Sequence, residues 1–163
     1  MDAPRARLVK MDVSKRHPKV VEIVGQGPDT LVGASLVGNR MILAYLGDAK
    51  SEAELRELDG RLVGPVALPG IGTAAGFGGK GGDAETFYTF SSFTTPPTTY
   101  RYNTATNKAE VFAQPKVAFD PDDYVTDQQF YVSKDGTRVP MFVIRRKDIT
   151  LPAPALLYGY GGF

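Results

Sequence analysis

The sequence predicts a mostly β chain, in which repeated four-stranded sheets of propeller type give way to the first strands of an α/β sheet. Three observations carry this. The 18 glycines and 12 prolines punctuate short β-rich runs, and no long stretch places apolar residues at helical spacing. The strand pattern recurs, with offsets of 47 residues between Leu8–Asp12 and Leu55–Asp59 and of 44 between Leu55–Asp59 and Thr99–Asn103. The texture then changes at Ala113.

Each element follows from local chemistry. Residues 1 to about 27 read as the outer strands of a sheet whose inner strands would precede them. From Leu31 the chain gives "LVGASLV", a Gly38-Asn39 turn, "MILAYLG", a polar link, "AELRELDG" and "RLVGPVALPG", four strands with turn residues between them. The third, rich in Glu and Leu, resembles a helix, but Asp59-Gly60 stops it within a few residues. The same order returns in "GTAAGFGG", "TFYTFSSF", "TTYRYNTATN" and "KAEVFAQP". A four-stranded unit at this period suits a propeller blade, and a single blade cannot bury both of its faces. An antiparallel sandwich with accidental spacing is the alternative. "AQPKVAFDPDD", with two prolines and three acids, then reads as a boundary. Beyond it, "YVTDQQFYVS" and "RVPMFVIRRK" flank the turn "KDGT" in a hairpin. "LPAPALLYG" is apolar with little alternation, as expected of a strand covered on both faces.

Composition narrows the partners. A formal net charge of +1 provides no strong field toward nucleic acid or an anionic membrane, so neither is an expected partner. No apolar run approaches the roughly 18–20 residues of a membrane span. The absence of cysteine fits a reducing compartment, which favours the cytoplasm, but it also suits many periplasmic proteins. The compartment stays open.

Chemistry concentrates in the last eight residues, "LLYGYGGF". A buried strand ending in Gly and Tyr frees backbone N–H groups at a carboxyl edge, where open α/β sheets bind ligands. Acyl transfer needs donors aimed at a carbonyl oxygen as it becomes negative, and such a turn can supply them, with the Tyr160 phenol as an alternative donor. Glycines that merely pack a strand end would read the same way.

"FYVSKDGTRVPMFVIRRKD" followed by "LLYGYGGF" closely resembles the start of the peptidase domain in the prolyl oligopeptidase family of serine peptidases. The repeats before it resemble the last blades of that family's propeller. Gly162-Phe163 favours the prolyl type over oligopeptidase B, which tends to place a small residue and then Tyr after Tyr-Gly-Tyr-Gly. The resemblance implies a seven-bladed β-propeller capping an α/β-hydrolase domain, with residues 1–115 the propeller's C-terminal blades and 116–163 the start of the peptidase domain. It implies cleavage of short proline-containing peptides after proline, with no cofactor and no metal. Tyr160 would be the side-chain oxyanion donor and Phe163 a wall of the proline pocket. Tyr158, Gly159, Gly161 and Gly162 would shape the loop.

A serine peptidase of this kind also needs a Gly-x-Ser-x-Gly elbow, an acid and a histidine. No serine sits in such an elbow here, and the single histidine, His17, lies among charges in "KRHPKV". The chain is therefore expected to be a fragment, inactive alone and poorly soluble or non-two-state in unfolding, with the missing blades and the rest of the hydrolase domain as its partners. A non-catalytic propeller with a vestigial hydrolase segment is the alternative, as is another oligopeptidase of the same clan.

Four other features read as structural. "GFGGKGG" lacks the Ser/Thr and helix of a phosphate loop and fits a loop between inner strands. Asp120, Asp122, Asp123 and Asp127 lack the alternating ligands of a calcium loop and fit a solvated linker. Arg145, Arg146 and Lys147 fit a solvated strand end. Phe87, Tyr88, Phe90 and Phe93 have no basic residues between them and fit alternating core positions.

Overall fold

A computed structural model describes residues 2–159. Strands β1 (Leu8–Met11) and β2 (Val20–Val24) form an antiparallel pair. The first four-stranded sheet contains β3 (Thr30–Val37), β4 (Arg40–Gly47), β5 (Lys50–Glu57) and β6 (Leu62–Pro65) in sequential order. The second contains β7 (Thr73–Gly78), β8 (Glu85–Ser91), β9 (Thr98–Asn103) and β10 (Lys108–Ala113), also sequential. A 3-10 turn at Pro121–Asp123 leads into the hairpin of β11 (Tyr124–Val132) and β12 (Arg138–Arg146). The described residues contain no α-helix. The offsets of 47 and 44 residues align β1, β5 and β9, and the latter two are each the third strand of their sheet. The repeat is therefore structural and is not an accident of spacing.

Turn chemistry sets the registers. Gly38 and Asn39 have φ of 61° and 56°, the left-handed pair that matches the twist of a two-residue hairpin. The polar link between β4 and β5 is a second such turn, at Asp48 (φ 47°) and Ala49 (φ 63°). Asp is one of the few L-residues that tolerates this region. The run "RLVGPVALPG" is strand only over Leu62–Pro65, where Pro65 has no N–H to donate, although Val66 N–H still continues the β5 register by bonding the Ala53 carbonyl at 2.8 Å.

The core forms where the two sheets face each other. Strand alternation puts Ile42, Ala53 and Leu55 on one inner face, and Phe77, Tyr88, Phe90 and Tyr102 on the other. Each large apolar side chain fully buried here contributes about 1.5–3 kcal/mol. Tyr88 is stacked between Phe77 and Tyr100, with ring centroids at 4.6 and 5.1 Å. Polar groups then fix how one sheet sits on the next. Asn39 N–H donates to the Gly81 carbonyl at 2.8 Å and Ser51 N–H to the Gly72 carbonyl at 2.9 Å. Arg40 reaches the Thr104 carbonyl at 2.6 Å, and Asn107 Nδ2 reaches the Pro65 carbonyl at 3.0 Å. The opposite face of the second sheet stays open, with Phe87 and Phe112 exposed.

Candidate functional site

The predicted site lies at the end of a segment that begins in the hairpin. The turn between β11 and β12 closes on Asp135, whose carboxylate accepts from the Ser133 hydroxyl at 2.6 Å and the Thr137 N–H at 3.0 Å. The hydroxyl bond above all holds this carboxyl down at a pKa of about 2. At the other end of the hairpin, Lys147 N–H returns to the Asp123 carbonyl at 2.8 Å. Arg146 makes a bidentate pair with Asp148 at 2.9 Å for both bonds, which keeps the guanidinium protonated beyond its ordinary range and the carboxyl below its own.

After Asp148 the expected covered strand is not found. Residues 151–159 contain no strand, and Leu156, Leu157 and Tyr158 are exposed. A strand of this composition needs a neighbouring edge for its N–H and C=O groups and an apolar layer over its side chains. Among the described residues, β11 and β12 pair only with each other, so neither is supplied. Tyr158 and Gly159, predicted to shape the loop, therefore lie on an open segment without regular structure, and a Cβ built on Gly159 would meet nothing within 4 Å. Tyr160, Gly161, Gly162 and Phe163 lie outside the described residues.

What sequence reading missed is the seat of the hairpin. The Asp48 turn, at the end of the two central strands of the first sheet, holds it. The Asp48 carbonyl accepts from Gln128 Nε2 at 2.5 Å, and its carboxylate pairs with Arg138 at 3.4 Å. The Arg138 guanidinium lies 3.2 Å from the centre of the Phe130 ring, and Phe93 packs against Phe142 with centroids at 5.5 Å. An acid at a left-handed turn position is the local signal, but nothing in sequence pairs it with residues 80 and 90 positions away.

The remaining candidates behave as solvated or core residues. His17 is exposed and lines a basic groove with Lys10, Lys15 and Lys19, with no nucleophile beside it. Lys80 lies in the loop between β7 and β8, where its N–H bonds the Asp83 carboxylate. Asp120 caps the 3-10 turn by accepting from the Asp122 N–H, and Asp127 pairs with Arg145 at 3.8 Å. Tyr88 and Phe90 are core, whereas Phe87 faces outward onto Phe112 and Phe93 touches the hairpin. No group of three or more metal-ligating side chains forms among the described residues.

Two consecutive four-stranded antiparallel sheets, packed face to face and related by the sequence repeat, define the class as a β-propeller. The family follows from comparison. Residues 1–115 match the model described as the N-terminal β-propeller domain of prolyl oligopeptidase, and the chain belongs to the prolyl oligopeptidase family. It is 36% identical to the prolyl endopeptidase of Elizabethkingia meningoseptica over 99% of this chain and 23% of the relative. With prolyl oligopeptidase ophP of Omphalotus olearius the identity is 33%, over 100% of this chain and 23% of that one. The chain thus spans about a quarter of the length of these curated relatives. Among solved structures it resembles one from a mechanistic study of two prolyl endopeptidases, with TM-score 0.78 and 40% identity over 91% of this chain and 22% of that one. It also resembles prolyl oligopeptidase B from Galerina marginata, with TM-score 0.82 and 28% identity over 91% and 22%.

Proposed function

We propose that this chain is the junction between propeller and peptidase in a serine-type prolyl oligopeptidase, which hydrolyses short peptides after proline. The observation that supports this best is that its similarity to prolyl endopeptidases extends over 99% of the chain, beyond the 115 residues matched to the propeller. On this reading residues 1–115 are the last blades of a seven-bladed propeller, and residues 116–163 begin an α/β-hydrolase domain. Tyr160 donates its phenolic O–H to the oxygen of the scissile carbonyl as it gains charge. Phe163 lines an apolar pocket for the proline ring, and Tyr158, Gly159, Gly161 and Gly162 give the loop its path. The reading assigns the nucleophilic serine, the acid and the histidine to the portion of its relatives' length that this chain does not span. No cofactor takes part, and the chain alone is inactive.

The test is hydrolysis of matched proline and arginine peptide substrates by the full-length protein. Cleavage after proline is expected, with Tyr160→Phe lowering kcat by about 100- to 1000-fold, the cost of removing one oxyanion donor. Preference for arginine, or an unchanged kcat in Tyr160→Phe, refutes the assignment.

A further inference from the structure

The contacts between the first sheet and the β11–β12 hairpin are few and polar, and they converge on one residue. Asp48 presents both of its acceptors to the hairpin, the carbonyl to Gln128 and the carboxylate to Arg138. Its left-handed backbone, φ 47°, is what turns the two acceptors outward together at the tip of the β4–β5 turn. Arg138 is held for this contact by the Phe130 ring beneath it. The Arg138 and Asp48 side chains remain 58% and 50% exposed, so the ion pair is open to screening by salt. The hairpin has no strand neighbour beyond its own two strands among the described residues, and these contacts together with Phe93 against Phe142 tie it to the two sheets.

We propose that Asp48 is a clamp that seats the hairpin on the edge of the propeller, with Gln128 and Arg138 as its two grips, and that it thereby positions the segment leading to Tyr160. The last part rests on the functional reading above, whereas the clamp itself does not. Asp48, Gln128 and Arg138 are positioning residues in this account. Release of the hairpin is a local opening, separate from unfolding of the sheets, and its population rises with ionic strength.

Hydrogen exchange measured by mass spectrometry on the full-length protein tests it. Asp48→Asn keeps a residue that tolerates the left-handed turn but removes the charge. It is expected to speed exchange across β11 and β12 by roughly two- to fivefold, the range of a partly exposed ion pair, while β4, β5 and β8 stay unchanged. About 1 M sodium chloride, which screens charges within about 3 Å, is expected to produce the same acceleration in the parent chain and none beyond it in Asp48→Asn. Gln128→Ala accelerates the same two strands through loss of the other grip. Unchanged hairpin exchange in both variants overturns the proposal, as does acceleration that spreads equally into β4 and β5. Absence of proline cleavage by the full-length protein would sink the peptidase reading and leave these exchange results as they stand.

Discussion

Arg40 carries the clearest test of how one sheet is held on the next. Its Nη1 donates to the Thr104 carbonyl at 2.6 Å and lies 3.5 Å from that of Ala105, while Nε faces Glu57 at 3.3 Å. Arg40→Met keeps the apolar stem and deletes the guanidinium. Losing a hydrogen bond from a charged donor costs about 1.5–3 kcal/mol, and the acceptor belongs to Thr104, a residue that is only 2% exposed. The Glu57 pair adds little, roughly 0–1 kcal/mol, because both side chains are about a quarter exposed and Arg61 also approaches Glu57. A total of about 1.5–4 kcal/mol corresponds to a fall in the melting midpoint of the sheets of about 3–16 °C at this length. The chain has no tryptophan, so far-UV circular dichroism and tyrosine fluorescence are the probes. Glu57→Gln, measured alongside, is expected to cost under about 1 kcal/mol. An Arg40→Met protein within about 0.5 kcal/mol of the parent would refute the reasoning and show that the guanidinium is not what holds one sheet on the next.

The two buried phenols are expected to respond in opposite ways. Tyr88 Oη has no partner among the described residues, so Tyr88→Phe is neutral or stabilising, whereas Tyr102→Phe loses a 2.7 Å bond to Asn107 and costs about 1 kcal/mol in urea unfolding. Burial pushes both phenols up to about 12, so their contribution to stability is whole below the ordinary tyrosine range near 10 and is lost as pH rises through about 12. Tyrosinate absorbance should therefore show at least these two late-ionising groups, and full ionisation of all tyrosines near pH 10 without unfolding contradicts the packing. Asp135 has the opposite sign. Its folded pKa is depressed to about 2, so its contribution is present above about 3.9 and lost as pH falls toward 2, which a carboxyl NMR titration reads directly. A midpoint near 4 would rule out the Ser133 and Thr137 bonds in solution. Gly38→Ala should destabilise by about 1–2 kcal/mol or more, because φ is +61° and the new Cβ would sit 3.0 Å from the Asp83 carbonyl and against the Thr104 hydroxyl. Gly82→Ala, with open space around it, should be nearly silent, and equal effects at the two positions would count against the turn geometry.

The strands were legible because their signals are local. "TFYTF" announces a strand, although the reading that put Phe87 and Phe93 in the core with Tyr88 and Phe90 fails because only the latter two point inward, and Gly38-Asn39 announces a hairpin whichever sheet surrounds it. The Asp48-Ala49 turn was harder, since alanine is an unusual partner in a left-handed pair and the sequence around it shows only polarity. Its role was beyond reach, because a clamp is a relation between residues 80 and 90 positions apart and periodicity constrains only near neighbours. The terminal segment shows the converse limit. Leu156 and Leu157 announce what the chain tends to bury, but burial requires a layer to bury against, and among the described residues both side chains stand open. An oxyanion site is nonlocal in the same sense: the Tyr-Gly-Tyr-Gly-Gly run is a pattern in sequence, and on the proposed reading it would act only once a nucleophile and a substrate carbonyl came within hydrogen-bonding distance of Tyr160. Motif recognition therefore reached Tyr160 ahead of geometry, and the activity of Tyr160→Phe in the full-length protein is the measurement that converts the pattern into a mechanism or removes it.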